Sequence, residues 1–335
     1  MKTVKAYAAQ EAGASLKPFQ YKLSDVGIEE VDIKVHYCGI CHSDLSMLNN
    51  EWRNTQFPFV PGHEIVGEVI AAGSNVKNIK TGDLVGLGWF SESCMHCNQC
   101  MSGSHNLCAT KEETIVGRHG GFADHVRCHW SWAIPLPKGI DMSKAGPLLC
   151  GGITVFNPIL MNNVKPTDKV GVIGIGGLGH LAIKFLNKWG CEVTAFSSNP
   201  SKKKDILKMG AHNVVNSRDL AEIKEINGTL DFILNTTNVT LNWSGYLRAL
   251  APKGTFHNVG AVLEPMAIPA FGLTGGEKSI SGSPLGSPAL TRKMLEFCIR
   301  HNIYPITEEF PLANVNEALK HLEDGKARYR IVLKI

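Results

Sequence analysis

The sequence lacks the features that mark membrane, secreted and nucleic-acid-binding proteins. No apolar run approaches the roughly 20 residues of a membrane-spanning helix, and Met1 to Gln10 alternates polar and apolar side chains without the apolar core of a secretion signal. The formal net charge is only +4 over 335 residues, and no basic block interleaved with aromatic residues occurs. We therefore expect a globular cytoplasmic protein that has neither a membrane nor a nucleic acid as its partner.

The length and the cysteine content narrow the possibilities. A chain of 335 residues with 44% hydrophobic residues can bury more than one core, and about two domains are expected. Ten cysteines in a chain without a secretion signal indicate metal binding or catalysis before disulfides. The thiols outside any motif, which we expect to be buried or inert, are Cys38, Cys128, Cys191 and Cys298.

Four cysteines form the most specific metal motif in the chain. Cys94, Cys97, Cys100 and Cys108 have the spacing C-x₂-C-x₂-C-x₇-C within a lobe at residues 91–109. Four thiolates complete a tetrahedral zinc site without a vacant position, which predicts a structural zinc. Disulfides are disfavoured by the expected compartment, and an iron–sulfur cluster stays an alternative on spacing alone.

A second set of potential ligands is dispersed along the chain. Cys41 lies in a Cys-His-Ser-Asp segment, His63 in a Pro-Gly-His-Glu segment, and Cys150 before a Gly-Gly pair. Singly, such residues are more often packed in a core than bound to a metal. Together, two thiolates and one imidazole with a fourth position open form the donor set of a catalytic zinc.

The stretch at residues 169–202 predicts a dinucleotide-binding unit. The apolar run from Val170 to Ile175 is typical of a strand buried on both faces of a parallel sheet, and a helical apolar pattern follows it. Between them, Gly174, Gly176 and Gly179 fit G-x-G-x-x-G, which provides a tight turn, bare backbone beside a pyrophosphate, and close contact between helix and strand. The N-terminus of the helix would then face the phosphates.

The residue after the second predicted strand, Glu192 to Phe196, indicates which cofactor is bound. NAD-binding units usually place an acid there to hold the ribose 2′-hydroxyl, whereas this chain has Ser197. Ser197 and Ser198 can donate hydrogen bonds to a 2′-phosphate, and Lys202 to Lys204 add positive charge, although lysines at a helix start are commonly just solvated. We therefore predict NADP(H) in preference to NAD(H).

Taken in order, these motifs resemble those of the zinc-dependent medium-chain alcohol dehydrogenases. The matching segments are Gly39 to Asp44, Gly62-His63-Glu64-x₂-Gly67-x₅-Gly73, Cys150 to Thr154, Gly174 to Gly179, Ser197 to Lys202, and Ala327 to Arg330. The resemblance spans the whole chain and is strongest to the cinnamyl-alcohol-dehydrogenase branch. Within that branch the sequence is most similar to bacterial broad-range NADPH-dependent aldehyde reductases.

The resemblance implies an α/β fold that combines a Rossmann doubly wound parallel sheet with a GroES-like β-rich catalytic domain. Residues 1–146 and 288–335 are expected to form the catalytic domain, and residues 147–287 the NADP-binding domain. The strand and helix patterns of the middle segment agree with this division. The active site is expected in the cleft between the domains, and the family's pairing through the dinucleotide domain implies a homodimer.

The resemblance also implies roles around the catalytic zinc. Ser43 is expected to pass a proton to the nascent alkoxide through the nicotinamide ribose, and Asp44 to orient His63 through its other ring nitrogen. Glu64 is similar to a residue that ligates zinc in some members when substrate is absent; the alternative is a charge near the ligands.

The expected proton relay departs from the family pattern. Many relatives end the relay on a histidine five residues after the first zinc ligand, where this chain has Ser46. Proton delivery would therefore end at water or use His42, whose family role is to contact the cofactor pyrophosphate.

Further contacts follow from family position. The expected cofactor residues are Thr154, Gly177, Leu178, Val259, Gly260, Ser281 and Ser283, with Arg328 a weaker candidate. Trp52, Trp89 and Phe90 fall near segments that line the pocket in relatives, although such aromatic residues are equally often core. The expected substrate is an apolar aliphatic or aromatic aldehyde, reduced by hydride from NADPH while zinc polarises the carbonyl.

Two other functions account for part of the sequence. An NAD-dependent polyol or sugar dehydrogenase would carry an acid in place of Ser197. A zinc-bearing binding module without catalysis would use the four-cysteine lobe for recognition, but it leaves Cys41, His63 and Cys150 without a role and requires a basic surface. We therefore predict an NADP(H)-dependent zinc alcohol dehydrogenase that acts mainly as an aldehyde reductase and holds two zinc ions per chain.

Overall fold

The computed structural model describes the whole chain, Met1–Ile335. The chain forms two compact units. The terminal unit comprises Met1–Cys150 and Gly286–Ile335, and the central unit comprises Gly151–Leu285. Cys150, expected in the middle segment, thus ends the terminal unit. None of the helices combines the length and apolar character that crossing a membrane requires.

Seventeen strands occur along the chain. They are β1 (Lys2–Ala8), β2 (Lys17–Leu23), β3 (Glu30–Ile40), β4 (Ile65–Ala72), β5 (Leu84–Leu87), β6 (Phe90–Glu92), β7 (Glu112–Glu113), β8 (His125–His129), β9 (Ile134–Pro135), β10 (Lys169–Ile173), β11 (Glu192–Ser197), β12 (Asn213–Asn216), β13 (Leu230–Asn235), β14 (Leu250–Asn258), β15 (Ser279–Gly282), β16 (Thr307–Pro311) and β17 (Arg330–Lys334).

Eleven α-helices connect the strands. They are α1 (His42–Leu48), α2 (Asn98–Met101), α3 (Met142–Ala145), α4 (Gly151–Met161), α5 (Gly179–Trp189), α6 (Lys203–Lys208), α7 (Leu220–Glu225), α8 (Trp243–Ala249), α9 (Phe271–Thr274), α10 (Pro288–His301) and α11 (Val315–Glu323). Short 3-10 turns lie at His105–Leu107, Trp130–Trp132, Gly146–Leu149, Pro200–Lys202 and Leu312–Asn314.

The terminal unit is built on a mainly antiparallel seven-stranded sheet. Its order is β16-β17-β3-β4-β5-β9, and β8 pairs with the first half of β3. Strand β3 is an internal strand of this sheet, and its alternating apolar residues, such as Ile33 and Val35, are buried. It leads from Ile40 directly into Cys41, and β17 pairs with its second half, with Ile331 opposite Ile40. The sheet therefore brings the last strand of the chain beside the first predicted metal ligand.

The central unit contains a six-stranded parallel sheet in the order β12-β11-β10-β13-β14-β15. Strand β10 lies inside it because Val170 and Val172 are fully buried, and α5 covers it with an apolar face that includes Phe185. Helix α5 ends at Gly190, whose φ of 113° is left-handed. Strands β11 and β13 lie on opposite sides of β10, so the carboxyl end of β10 is the switch point at which such sheets bind ligands. The predicted fold class is confirmed.

Candidate active site

Four potential metal ligands from separate segments meet inside the terminal unit. The ligand atoms of Cys41, His63, Glu64 and Cys150 all lie within 4.8 Å of one another. The Cys41 and Cys150 sulfurs are 3.9 Å apart, and His63 Nε2 is 3.3 Å from Cys150 Sγ. A tetrahedral zinc with Zn–S bonds of about 2.3 Å and a Zn–N bond of about 2.0 Å has ligand-to-ligand distances of roughly 3.5–3.8 Å. The cluster therefore fits a single ion.

Asp44 holds two of these ligands in place. Helix α1 begins after Cys41, whose N–H donates to Asp44 Oδ2 at 2.8 Å as part of a capping box. Asp44 Oδ1 lies 3.0 Å from His63 Nδ1 and also accepts from Gly62 N at 2.9 Å. This buried carboxylate favours the tautomer with a proton on Nδ1, which leaves the Nε2 lone pair facing Cys150.

The buried thiols and the imidazole shift one another's protonation. Hydrogen bonding to Cys150 lowers the pKa of Cys41 well below its ordinary value, with help from Arg330 and His63 and against the effect of burial. The hydrogen bond to Cys41, together with burial, raises the pKa of Cys150. Burial opposes charge on His63, but Asp44 outweighs it and raises the pKa of His63. A bound cation would replace these protons, because thiolate and neutral imidazole are the ligating forms.

Glu64 is held by an arginine that the sequence analysis did not identify. Arg330 Nη2 donates to Glu64 Oε1 within an ion pair whose side chains are 6% and 0% exposed. Glu64 Oε2 is buried without a hydrogen-bond partner, which suits an oxygen beside a cation. Burial raises the pKa of Glu64 to about 6, against the lowering effect of Arg330. The available signal was a cation at the start of the apolar run Arg330–Lys334, because a charge buried there requires a partner.

The other predicted catalytic residues differ in their surroundings. Ser43 is half-buried, and its Oγ is 3.8 Å from Cys41 Sγ. The neighbouring His42 is exposed, whereas Ser46 is buried. Ser43 therefore lies beside the ligand atoms, and Ser46 is enclosed by the protein.

One of the three predicted pocket aromatics contacts the cluster, and a second packs against the first. Trp89 contacts His63 edge to face, with ring centroids 4.8 Å apart, and Trp52 contacts Trp89 at 5.8 Å. Both tryptophans are partly exposed. Phe90 is only 3% exposed and packs against Trp132 at 5.4 Å. The structure therefore assigns Phe90 to the core and not to a pocket, because consecutive residues of extended chain point to opposite sides.

The four cysteines of the lobe also converge. The sulfurs of Cys94, Cys97, Cys100 and Cys108 all lie within 4.8 Å of one another. Backbone N–H groups of Cys97 and Cys100 donate to the sulfurs of Cys94 and Cys97 at 3.3 and 3.5 Å. Hydrogen bonds from the backbone lower the pKa of Cys94, and they lower the pKa of Cys108 to about 6. Four sulfurs that fill every tetrahedral position make a closed metal site.

In the central unit, each glycine of the turn after β10 serves a different purpose. Gly174 has a left-handed φ of 86°, and a Cβ on Gly179 would lie 2.0 Å from the Gly174 carbonyl oxygen. Gly176 is exposed, and a Cβ there would meet no atom within 4 Å, so its backbone is open to a phosphate. Thr236, which the sequence analysis missed, fastens the turn by donating to the Gly174 carbonyl at 2.7 Å.

The residues expected near a 2′-phosphate lie at the end of β11. Ser197 is 8% exposed, and its Oγ accepts from the N–H of Asn199 at 3.3 Å. Ser198 is exposed, and Lys202 is half-buried at the end of a 3-10 turn. The surface open to a phosphate is therefore provided by Ser198 more than by the Ser197 side chain, which is engaged within its own turn.

The remaining expected cofactor residues lie mostly along one edge of the parallel sheet. They are Gly177 and Leu178 before α5, Val259 and Gly260 after β14, Ser281 and Ser283 at the end of β15, and Thr154 in α4. All except the buried Thr154 are partly exposed, and they follow the carboxyl ends of strands, where dinucleotides bind. Arg328 is exposed in the terminal unit.

Two family models match the chain. The model of the alcohol dehydrogenase GroES-like domain matches residues 27–138, and that of the zinc-binding dehydrogenase matches residues 177–300. The sequence is 54% identical over 330 residues to aldehyde reductase AdhA of Synechocystis sp., which covers 98% of both chains. It is 37% identical over 337 residues to cinnamyl alcohol dehydrogenase 7 of Arabidopsis thaliana, with 98% of this chain and 94% of that protein covered.

Solved structures are similar over the full length. Cinnamyl alcohol dehydrogenase SbCAD4 of Sorghum bicolor has a TM-score of 0.95 at 36% identity, covering 99% of this chain and 98% of that one. CAD from Helicobacter pylori, solved in complex with NADP(H), has a TM-score of 0.92 at 32% identity, again covering 99% and 98%. The motifs, the fold and these relatives together establish that the chain belongs to the zinc-dependent medium-chain alcohol dehydrogenase family.

Proposed function

We propose that the protein is an NADP(H)-dependent zinc alcohol dehydrogenase that acts mainly as an aldehyde reductase. The observation that carries the proposal is the convergence of Cys41, His63 and Cys150 into one ion-sized cluster in a chain that also has a dinucleotide-binding sheet. The Synechocystis relative is named an aldehyde reductase, and the Helicobacter pylori structure contains NADP(H). A binding module without catalysis gives no reason for this convergence.

The first cluster fits zinc, which Cys41 and Cys150 would hold through sulfur and His63 through Nε2. When bound, zinc supplies a Lewis acid for the substrate oxygen, and NADPH supplies the hydride. Asp44 maintains this donor set, because it accepts the Nδ1 proton and so keeps Nε2 free to ligate. The unpartnered Oε2 of Glu64 can take the fourth ligand position when no substrate occupies it.

Ser43 gives a proton to the oxygen of the product alcohol. Its hydroxyl lies next to Cys41 Sγ, and its half-buried position allows contact with both the substrate oxygen and water. The proton is replaced from solvent or from the exposed His42. Ser46 takes no part, because it is buried away from solvent.

NADP(H) is the proposed cofactor because no acid stands at the end of β11. A carboxylate there would repel a 2′-phosphate, whereas the exposed Ser198 can donate to it and the Lys202 to Lys204 run contributes positive charge. An NAD-dependent polyol dehydrogenase would require the reverse arrangement.

The proposed substrate is an apolar aldehyde. Trp89 places partly exposed ring surface beside His63 and Trp52 extends that surface, which favours aliphatic and aromatic groups. Sugars would need several convergent hydrogen-bonding groups, and these two rings offer only their indole N–H.

The central unit is proposed to form a homodimer. β15 is the edge strand of its sheet, and an open edge pairs readily with a second copy. Phe271 and Leu263, which precede this strand, are 90% and 74% exposed, and pairing of two copies would cover such surface. None of the ten cysteines forms a disulfide, which suits a reducing compartment, and we propose the cytoplasm as the location.

Initial rates with NADPH and NADH, measured across aliphatic, aromatic and sugar aldehydes, test the function. We expect kcat/KM to be about 10- to 100-fold higher with NADPH, the equivalent of one charge-assisted hydrogen bond, and reduction to be confined to apolar aldehydes. Ser197→Asp should shift the preference towards NADH, whereas Ser74→Asp adds the same charge at an exposed position of the terminal unit and should not. Equal use of both cofactors would contradict the cofactor proposal, and absence of carbonyl reduction would contradict the function.

A further inference from the structure

The central unit contains a buried polar network that has no role in the function proposed above. His257, in β14, is 0% exposed, and its ring centroid is 6.2 Å from that of Phe232. Its Nδ1 is 3.1 Å from Asn162 Nδ2 and 2.8 Å from Ser281 Oγ, and its Nε2 is 3.0 Å from Ser283 Oγ. Both ring nitrogens are therefore engaged, and none of these partners is charged.

The donors of this network define the tautomer of His257. The amide nitrogen of Asn162 can only donate, and it also donates to the Pro158 carbonyl at 2.8 Å. The Ser281 hydroxyl has one proton, which it can donate either to Asn162 Oδ1 at 3.1 Å or to His257 Nδ1 at 2.8 Å. Nδ1 of His257 must therefore accept. Nε2 then carries the proton and donates it to Ser283 Oγ. A neutral histidine thus joins the end of α4 to two positions at the end of β15.

The same segment is fixed again at Leu285. Asn157, in α4, donates through Nδ2 to the Leu285 carbonyl at 2.5 Å. Leu285 has a φ of 37°, which a leucine rarely adopts, and such a conformation persists only where surrounding contacts impose it. Side chains from α4 and β14 therefore hold the Ser281–Leu285 segment at both ends.

This segment lies at the sheet edge where a dinucleotide binds, on the side of β10 opposite the ribose position. β11, which ends at Ser197, is on one side of β10, and β13, β14 and β15 are on the other. A dinucleotide with its adenosine half over β11 has its nicotinamide half over β13 to β15. Because both serine hydroxyls contact His257, we expect the segment to offer a ligand mainly its backbone groups, for example at the exposed Gly282.

We propose that His257 is a positioning residue for the nicotinamide half of the cofactor. Together with Asn162 it sets the conformation of Ser281–Leu285, and the backbone of that segment contacts the ligand. The inference rests on the proposed function, since it requires a dinucleotide. It also changes the roles expected for Ser281 and Ser283 from direct cofactor contacts to internal hydrogen-bond partners.

Binding of the complete cofactor and of its adenosine half separates positioning from a general loss of structure. NADPH is titrated by its fluorescence, and adenosine 2′,5′-bisphosphate by calorimetry. His257→Phe should weaken NADPH binding about tenfold through loss of its hydrogen bonds, and should leave the bisphosphate affinity within about twofold. His257→Gln, whose amide can both accept and donate, should recover part of the NADPH affinity. Ser283→Ala, which removes only the acceptor of the Nε2 proton, should produce a smaller loss that is again confined to NADPH.

His129 provides the matched control. It is 6% exposed in the terminal unit, and its Nδ1 contacts Ser131 Oγ at 2.8 Å, so His129→Phe removes a comparable buried contact and should change neither affinity. Equal weakening of both ligands in His257→Phe and Ser283→Ala, or unchanged NADPH affinity in both, would overturn the positioning role. If the variants weaken only NADPH binding, as expected, but the wild-type protein reduces no aldehyde, the proposed function alone is overturned.

Discussion

The two metal-ligand clusters of the terminal unit use the same sulfur chemistry in different surroundings. The Cys41 cluster draws its ligands from three distant segments, includes an imidazole, and adjoins the buried pair of Glu64 and Arg330. The Cys94 cluster takes four sulfurs from one short stretch and is supported by backbone N–H groups. We infer that an exchangeable fourth ligand and nearby compensated charges, and not cysteine itself, distinguish the proposed catalytic site from the proposed structural one.

Exchanging one cysteine for serine in each cluster tests the two proposed roles most directly. Cys41→Ser should lower kcat/KM by at least about 10³-fold while the folded structure persists, because the Lewis acid loses a ligand. Cys97→Ser should instead lower the thermal midpoint and leave the folded fraction active, because a structural metal contributes folding energy. Aldehyde reduction and circular dichroism melting measure the two effects. The reverse pattern would mean that the two roles have been assigned to the wrong clusters.

Stepwise chelation tests whether the two clusters release their metal in different order. Metal analysis should find two zinc ions per chain. A chelator should first remove activity without a change in the far-ultraviolet signal, because the fourth position of the proposed catalytic site exchanges between ligands and the four sulfurs of the other site leave no such position. A zinc-sensitive dye, read together with activity and ellipticity, reports the order of release. Unfolding that precedes the loss of activity would contradict the assignment.

Charge compensation belongs only to the Cys41 cluster, and Arg330→Met tests it. The change leaves Glu64 buried without its cation and should lower the free energy of unfolding by about 3–5 kcal/mol. Adding Glu64→Gln should recover much of that loss, because the unpaired charge is then absent. Lys320→Met, which removes the ion pair of the exposed Lys320 with Asp324, is the control and should leave the unfolding free energy nearly unchanged. Urea denaturation measures the free energy of unfolding of the wild type and the three variants. Equal values for Arg330→Met and the wild type would refute the pairing of Arg330 with Glu64.

The buried network around His257 is uncharged, so its pH response separates it from the charged cluster. Burial lowers the pKa of His257 from its ordinary value of 6.5 to about 4. Because the folded state has the lower pKa, the unfolded chain takes up the proton first. The free energy of unfolding of the wild type therefore falls by up to about 3 kcal/mol as the pH falls from 6.5 towards 4. The difference in unfolding free energy between wild type and His257→Phe should therefore shrink between pH 7 and pH 4. A difference independent of pH would contradict this account.

Sequence patterns identified the features whose parts lie close together along the chain. The four-cysteine lobe and the glycine turn are each formed by one short stretch of chain. The residue spacing within each stretch alone restricts the geometry that it can form. The dispersed ligands Cys41, His63 and Cys150 could be grouped only through their chemistry and the family resemblance. The sequence could not show that Trp89 is partly exposed and Phe90 is buried, because the two aromatic residues are adjacent.

Composition, motif spacing and family resemblance were thus sufficient for the fold class and the cofactor class, and they predicted metal donors that the folded chain brings together. Contacts between distant segments emerged only in the folded chain: Arg330 with Glu64, Asp44 with both Gly62 and His63, and His257 with Asn162 and Ser283. The physical reason is that a buried polar group must find its partner in space. That partner is set by strand register and helix placement, which no local pattern of residues specifies.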